Sequence, residues 1–112
     1  MTSLKQDVYT IIPNLDNLIE EIQTDSITSR TFYKGDGFNA ILFAFDAGQE
    51  LSEHTSTKSA ILQIVEGEGR VTLGEDVHKV KQGAWIQMPP HLKHSVYAET
   101  PLKMLLLMFK SV

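Results

Sequence analysis

Gly48-Gln-Glu-Leu-Ser-Glu-His54-Thr-Ser-Thr57 and Met88-Pro-Pro-His-Leu-Lys-His94-Ser-Val-Tyr97 are the stretches whose reading decides the fold. Each sets a histidine beside a short run of strand-forming residues. Between them the chain is broken at Gly67-Glu-Gly69, Gly74-Glu-Asp76 and Gln82-Gly83. Glycine supplies the positive φ that tight turns need, so these breaks read as hairpin turns. Working outward, Gly35-Asp-Gly37 punctuates the chain upstream, and runs rich in Phe, Ile, Leu and Val fill the intervals. Strands are predicted at about residues 30–34, 39–46, 51–54, 60–65, 70–73, 77–81, 84–88, 95–98 and 102–110. Short strands with turns at this spacing give an all-β sandwich or barrel, in which distant strands bring their histidines together. Imidazole is the commonest protein metal ligand, so the pair is a candidate site.

One segment departs from the β texture. Leu15, Leu18, Ile19 and Ile22 fall at i, i+3, i+4 and i+7 behind Pro13-Asn14, which predicts one short N-terminal amphipathic helix capped by Asn14. The expected organisation is a single domain over residues 1–112, with an appendage at about 1–29 and the barrel at about 30–112. At the other end, Met104-Leu-Leu-Leu-Met-Phe109 lacks alternation, which predicts a strand buried on both faces. A partner subunit most simply supplies the second face, so a homodimer formed by sheet packing or strand exchange is expected.

Composition removes several function classes. A formal net charge of −4 offers no general attraction to a phosphate backbone, so no nucleic-acid partner is expected. The absence of cysteine excludes disulfides, thiolate metal sites and cysteine nucleophiles, leaving His, carboxylate or amide for any metal. The apolar run at 104–109 is too short to span a bilayer, and Met1-Thr-Ser-Leu-Lys-Gln-Asp lacks a basic segment followed by an apolar one. No membrane partner and a cytoplasmic location are expected. Gly67-Glu-Gly69 is not followed by the lysine of a phosphate loop, and no serine lies in a G-x-S-x-G elbow. Glu50, Glu53, Glu66, Glu68 and Glu75 all sit beside turns and read as solvated edges, and His78 reads as part of an exposed polar face.

The two opening stretches resemble the motifs of the cupin superfamily, in particular small single-domain, RmlC-like type-2 cupins. The first motif, G-x5-H-x-H-x(3,4)-E-x6-G, lays onto Gly48, His54 and Gly67, with Ser56 at the second histidine position and Ala60 at the glutamate. The second, G-x5-P-x-G-x2-H-x3-N, lays onto Gly83, Pro89 and His94, with His91 at the glycine position and Ala98 at the asparagine. The resemblance implies a cupin-type double-stranded β-helix, or jelly-roll barrel, with a degenerate metal motif. Of the ligand set of typical metal-binding cupins, only His54 and His94 are inherited. Zinc and similar ions usually take at least three protein ligands, so a further donor is expected. His91 is one candidate, on the loop before His94. Gln63 is the other, although alternation from an inward Ala60 turns it outward unless a bulge intervenes.

Phe43, Leu62, Ile64, Met88 and Met104 are expected to line a small apolar pocket, with Ser56 as a hydroxyl within it. Trp85 and Tyr97 are large enough to cover its mouth or to sit in a subunit interface. The resemblance implies binding of a divalent metal ion (zinc, nickel, iron, manganese or copper), of a small organic molecule, or of both, through His54 and His94. Two alternatives stand beside it. One is a metal-free binding or sensing module whose histidines hydrogen-bond an anionic or sugar-like ligand. The other is a metal-free isomerase or epimerase with His54 or His94 as general base, for which Tyr97 is the nearest aromatic hydroxyl but lies on the opposite strand face. The family hosts enzymes, storage proteins and sensing domains, so the fold alone does not choose among them.

Overall fold

The computed structural model describes residues 8–110. Residues 1–7, read above for leader features, and 111–112 lie outside the described residues. The strands are β1 (Ile27–Lys34), β2 (Phe38–Phe45), β3 (Glu50–His54), β4 (Ala60–Glu66), β5 (Glu68–Leu73), β6 (Asp76–Lys81), β7 (Trp85–Met88), β8 (His94–Ala98) and β9 (Leu102–Phe109). Every strand expected from the sequence is present, with β1 starting at Ile27 rather than at residue 30. They form two antiparallel sheets, ordered β1-β2-β9-β4-β7 and β3-β8-β5-β6. The chain crosses between the sheets after β2, β3, β4, β6, β7 and β8, which is the jelly-roll path expected from the motifs. No helix among the described residues is long and apolar enough to cross a membrane.

Period-two alternation sorts the side chains. In β4, Ala60, Leu62 and Ile64 are buried while Gln63 and Glu66 are exposed. The strand registers stack the inward residues of the larger sheet into rows: Asn39–Met108–Ala60–Met88, then Ile41–Leu106–Leu62–Ile86, then Phe43–Met104–Ile64, then Phe45–Leu102. Leu51–Val96–Val71 and Gly69–Ala98 face them from the smaller sheet. Phe45, Ile64, Val71, Val96, Ala98 and Leu102 are wholly buried, so the barrel is solid at their end. Each large apolar side chain taken out of water there contributes about 1.5–3 kcal/mol. The turn closing this end demands glycine, because Gly67 has φ +91 and a Cβ on it would strike the carbonyl of Pro101.

The predicted N-terminal helix is corrected to a single 3₁₀ turn, Leu15–Leu18. Asn14 caps it as expected, its Oδ1 accepting from the Asp16 amide at 3.0 Å. Beyond Leu18 the chain extends, with Ile19 at φ −133 and ψ 96. Continuing as an α-helix would need the Asp16 and Leu18 carbonyls as internal acceptors four residues back. They accept instead from Lys103 Nζ and Arg30 Nη1, each at 3.0 Å. The apolar periodicity therefore serves docking: Ile19 is buried against Leu42 and Ala44, with Leu18 and Ile22 beside it.

The same segment covers the second face of β9 only at its start, whereas the run Met104–Phe109, expected to be buried on both faces, is partly buried beyond Met104. Leu102, Lys103 and Met104 are all buried, and Lys103 is only 4% exposed. Its ammonium lies 2.8 Å from Asp16 Oδ1 and 3.9 Å from Glu66 Oε2. The Lys103 hydrogen bond, and then the lysine charge, hold the Asp16 carboxyl below its usual range against the opposing effect of desolvation. Here the second face comes from within the chain. Farther along β9, Leu105 and Leu107 are half-buried beside a groove lined by Ile12, Phe32 and Tyr33.

Candidate functional site

At the end opposite the solid core the barrel is hollow. The outermost row contains Ala60, whose single methyl leaves space that Ile64 fills two rows deeper. A cavity of about 310 Å³ opens there, within the range typical of small-molecule pockets. Its floor and walls are apolar, from Ile41 and Phe43 on β2, Leu106 and Met108 on β9, and Ala60 and Met88. Its polar lining comes from His54, His94 and the β3–β4 loop residues Thr55, Ser56 and Lys58.

His54 and His94 stand directly opposite each other on β3 and β8, with ring centroids 4.1 Å apart and planes at 60°. Simple alternation does not bring them together. From the Leu51↔Val96 pair to the His54↔His94 pair, β3 advances three residues and β8 only two. The extra residue is a bulge, and it turns His54 back to the inward side on which Leu51 also lies.

Each imidazole is oriented by the backbone two residues before it. His54 Nδ1 lies 2.8 Å from the Ser52 carbonyl, and His94 Nδ1 lies 2.9 Å from the Leu92 carbonyl. A carbonyl only accepts, so in the neutral rings both Nδ1 atoms carry the proton and both Nε2 atoms keep a lone pair. The loop beside them is braced in turn: the Lys58 amide donates to Ser56 Oγ at 3.1 Å, and the His91 amide donates to the Ser56 carbonyl at 2.7 Å.

The other expected ligands do not join the pair. His91 is exposed and absent from the cavity lining, and its backbone holds φ +70, the left-handed conformation that a glycine adopts readily. This accounts for glycine at that place in the motif it resembles. Gln63 faces outward between Leu105 and Trp85, because the irregularity in β4 falls after it, between Ile64 and Glu66. Among the described residues no group of three or more His, Cys, Asp or Glu side chains converges. Two imidazoles fall short of the three protein ligands that zinc and similar ions usually require, and a lysine in the same lining opposes a divalent cation. The donor set here does not fit a resident divalent metal.

Of the expected pocket residues, Ser56, Phe43 and Met88 line the cavity. Leu62, Ile64 and Met104 do not: they are buried in the filled core, because the hollow is confined to the outer rows. Trp85 is 58% exposed on the outer face, and Tyr97 lies outside under the Arg70 guanidinium, 4.5 Å from its ring centroid. Neither covers the mouth, and Tyr97 cannot serve the imidazoles as an acid. Sequence reading missed Lys58 and Thr55, whose signal was their place in the loop directly after His54. Asn39, in the outermost row but outside the cavity lining, has its Oδ1 buried without a hydrogen-bond partner among the described residues.

A family model described as the cupin domain matches residues 41–109. No curated protein matches the sequence. Among solved structures, a conserved protein of unknown function from Streptococcus pyogenes is similar with TM-score 0.81 and 27% identity, over 100% of this chain and 97% of that one. A cupin superfamily protein from Desulfitobacterium hafniense gives TM-score 0.83 at 22% identity, over 98% of this chain and 100% of that one. A salicylate 1,2-dioxygenase mutant from Pseudoaminobacter salicylatoxidans gives TM-score 0.71 at 19% identity, over 83% of this chain and 30% of that one, a likeness of fold.

Proposed function

The chain belongs to the cupin domain family, and from that premise we propose that its barrel mouth binds a small organic molecule bearing a hydroxyl or N–H donor. The orientation of the histidine pair carries this reading. With both Nδ1 protons committed to the Ser52 and Leu92 carbonyls, the neutral rings present two acceptors and no donor to the cavity. Apolar walls from Phe43, Leu106 and Met108 take up the rest of the ligand, and the cavity of about 310 Å³ suits a single ring or a short chain. Binding is favoured over isomerisation because Tyr97, the aromatic hydroxyl nearest the histidine motif, packs under Arg70 on the far side of its sheet.

Phenol and its methyl ether, anisole, test the reading, since they differ in the hydroxyl proton. Methyl NMR signals of Met88 and Met108 are expected to shift on adding phenol, and to shift much less with anisole. The His54→Ala/His94→Ala variant should lose that preference. Equal responses to both compounds, or none to either, would overturn it.

We also propose that a second copy of the chain covers the outer groove of the larger sheet. Val8, Tyr9 and Ile11 are strongly exposed in a strand-prone run, Val8-Tyr-Thr-Ile-Ile12, beside Phe32, Tyr33 and Leu105. Light scattering is expected to give twice the chain mass, falling to the monomer value in Tyr9→Asp/Ile11→Asp. A parent at the monomer mass would remove the proposal.

A further inference from the structure

The charge of the pocket lining narrows the ligand class further. His54 and His94 face the cavity as acceptors, but the loop after β3 adds Thr55, Ser56 and Lys58. No Asp or Glu among the described residues lines the cavity to balance that lysine. Among the described residues, no carboxylate lies within 4.0 Å of its ammonium, whereas the buried Lys103 has Asp16 at 2.8 Å and Glu66 at 3.9 Å. Lys58 is half-buried, and its backbone is fixed where the loop turns, through the bond from its amide to Ser56 Oγ at 3.1 Å. A cation on a residue that lines an apolar pocket, without a counter-charge, gains most from an anionic partner, because the pocket's low polarity strengthens the attraction.

We infer that the pocket is built for a small hydroxy acid, with Lys58 taking the carboxylate and the histidine pair accepting the hydroxyl proton. The inference rests on the reading of the histidine pair above. The two determinants act on different ends of the ligand. The imidazoles without a donor of their own cannot hydrogen-bond a carboxylate in their neutral form. The lysine has three donors and no acceptor, so it supplies what they lack. The hydroxyls of Thr55 and Ser56 line the same side and can donate to a second carboxylate oxygen.

The probes are the ortho, meta and para isomers of hydroxybenzoate, each compared with the uncharged hydroxybenzamide of the same geometry and with phenol, by calorimetric titration. At least one hydroxybenzoate is expected to bind about ten- to hundredfold more tightly than its amide, the range of a charge-assisted hydrogen bond. Lys58→Met should abolish that difference, and Lys58→Arg should restore most of it. If acid and amide bind alike in the parent, or the preference survives in Lys58→Met, the assignment to Lys58 is wrong. A failure of phenol and of every hydroxybenzoate would instead take down the histidine reading on which it rests.

Discussion

The two ends of the barrel are made from the same strands in the same alternation, yet one is solid and the other hollow. At the closed end the rows hold Phe45, Ile64, Leu102, Val71 and Val96, all with essentially no exposure. At the open end the corresponding places hold Ala60, Met88 and Met108, and the facing sheet offers His54 and His94 in place of aliphatic side chains. The outer face differs as well. Over the closed end it is sealed by residues 14–22, pinned through Lys103 and Asp16, whereas β9 beyond Met104 is only half-covered. Stability is concentrated at one end, which leaves the other free to carry a cavity and two imidazoles oriented by backbone carbonyls.

That division predicts unequal costs for changes of similar kind. The largest effect is expected for Ile64→Ala, where the packed surroundings cannot collapse: about 3–4 kcal/mol by urea denaturation, with the cavity end unchanged in its affinity for phenol. A loss under about 1 kcal/mol would mean that the closed end is not the stable one.

Next comes Asp16→Ala, which leaves the buried Lys103 ammonium with weaker partners and should cost about 1–2 kcal/mol, moderated because Asp16 is itself half-exposed. Lys103→Met should cost less, since it removes the buried charge and leaves Asp16, which is half-exposed, to water. The Asp16 carboxyl is held below its usual range in the folded chain. Its contribution is therefore present above the unfolded-state pKa and disappears as pH falls through the folded one, below about pH 4. Acid titration of the Asp16→Ala variant should lack that part of the parent's stability loss.

At the open end, filling the hollow should be nearly free. Ala60→Leu is expected to change stability by about 1 kcal/mol or less and to abolish phenol binding. Severe destabilisation would mean that no usable space exists there. The smallest effect belongs to His91→Gly. Relief of the left-handed backbone at φ +70 outweighs the added entropy of glycine, for a net gain of about 0.5 kcal/mol. Binding should be unaffected, whereas a ligand role for His91 would show as lost affinity.

The closed end was the more legible in the sequence. Its glycine turn and alternating β4 follow from positive φ and period-two burial, both of which are local properties. The open end depends on relations between strands. The bulge that brings His54 opposite His94 involves two residues, Ser52 and Glu53, that carry no bulge signal of their own. The depth of the cavity was also misplaced, because only the cross-strand register separates Ala60 and Met108 from Leu62 and Met104. The helix expectation failed for a similar reason: Lys103 and Arg30, distant in sequence, capture the carbonyls that an α-helix would have used. Lys58 escaped notice because a lysine in a loop is ordinarily solvated, and only the cavity lining gives it a role.

The most direct test is calorimetric titration of the tightest-binding hydroxybenzoate isomer into protein before and after exhaustive treatment with a chelator, followed by addition of zinc. If the open end binds with its own side chains, as proposed, the same affinity is predicted in all three samples, with loss in His54→Ala/His94→Ala. Binding that disappears on chelation and returns with zinc would contradict the account and give the histidine pair to a metal.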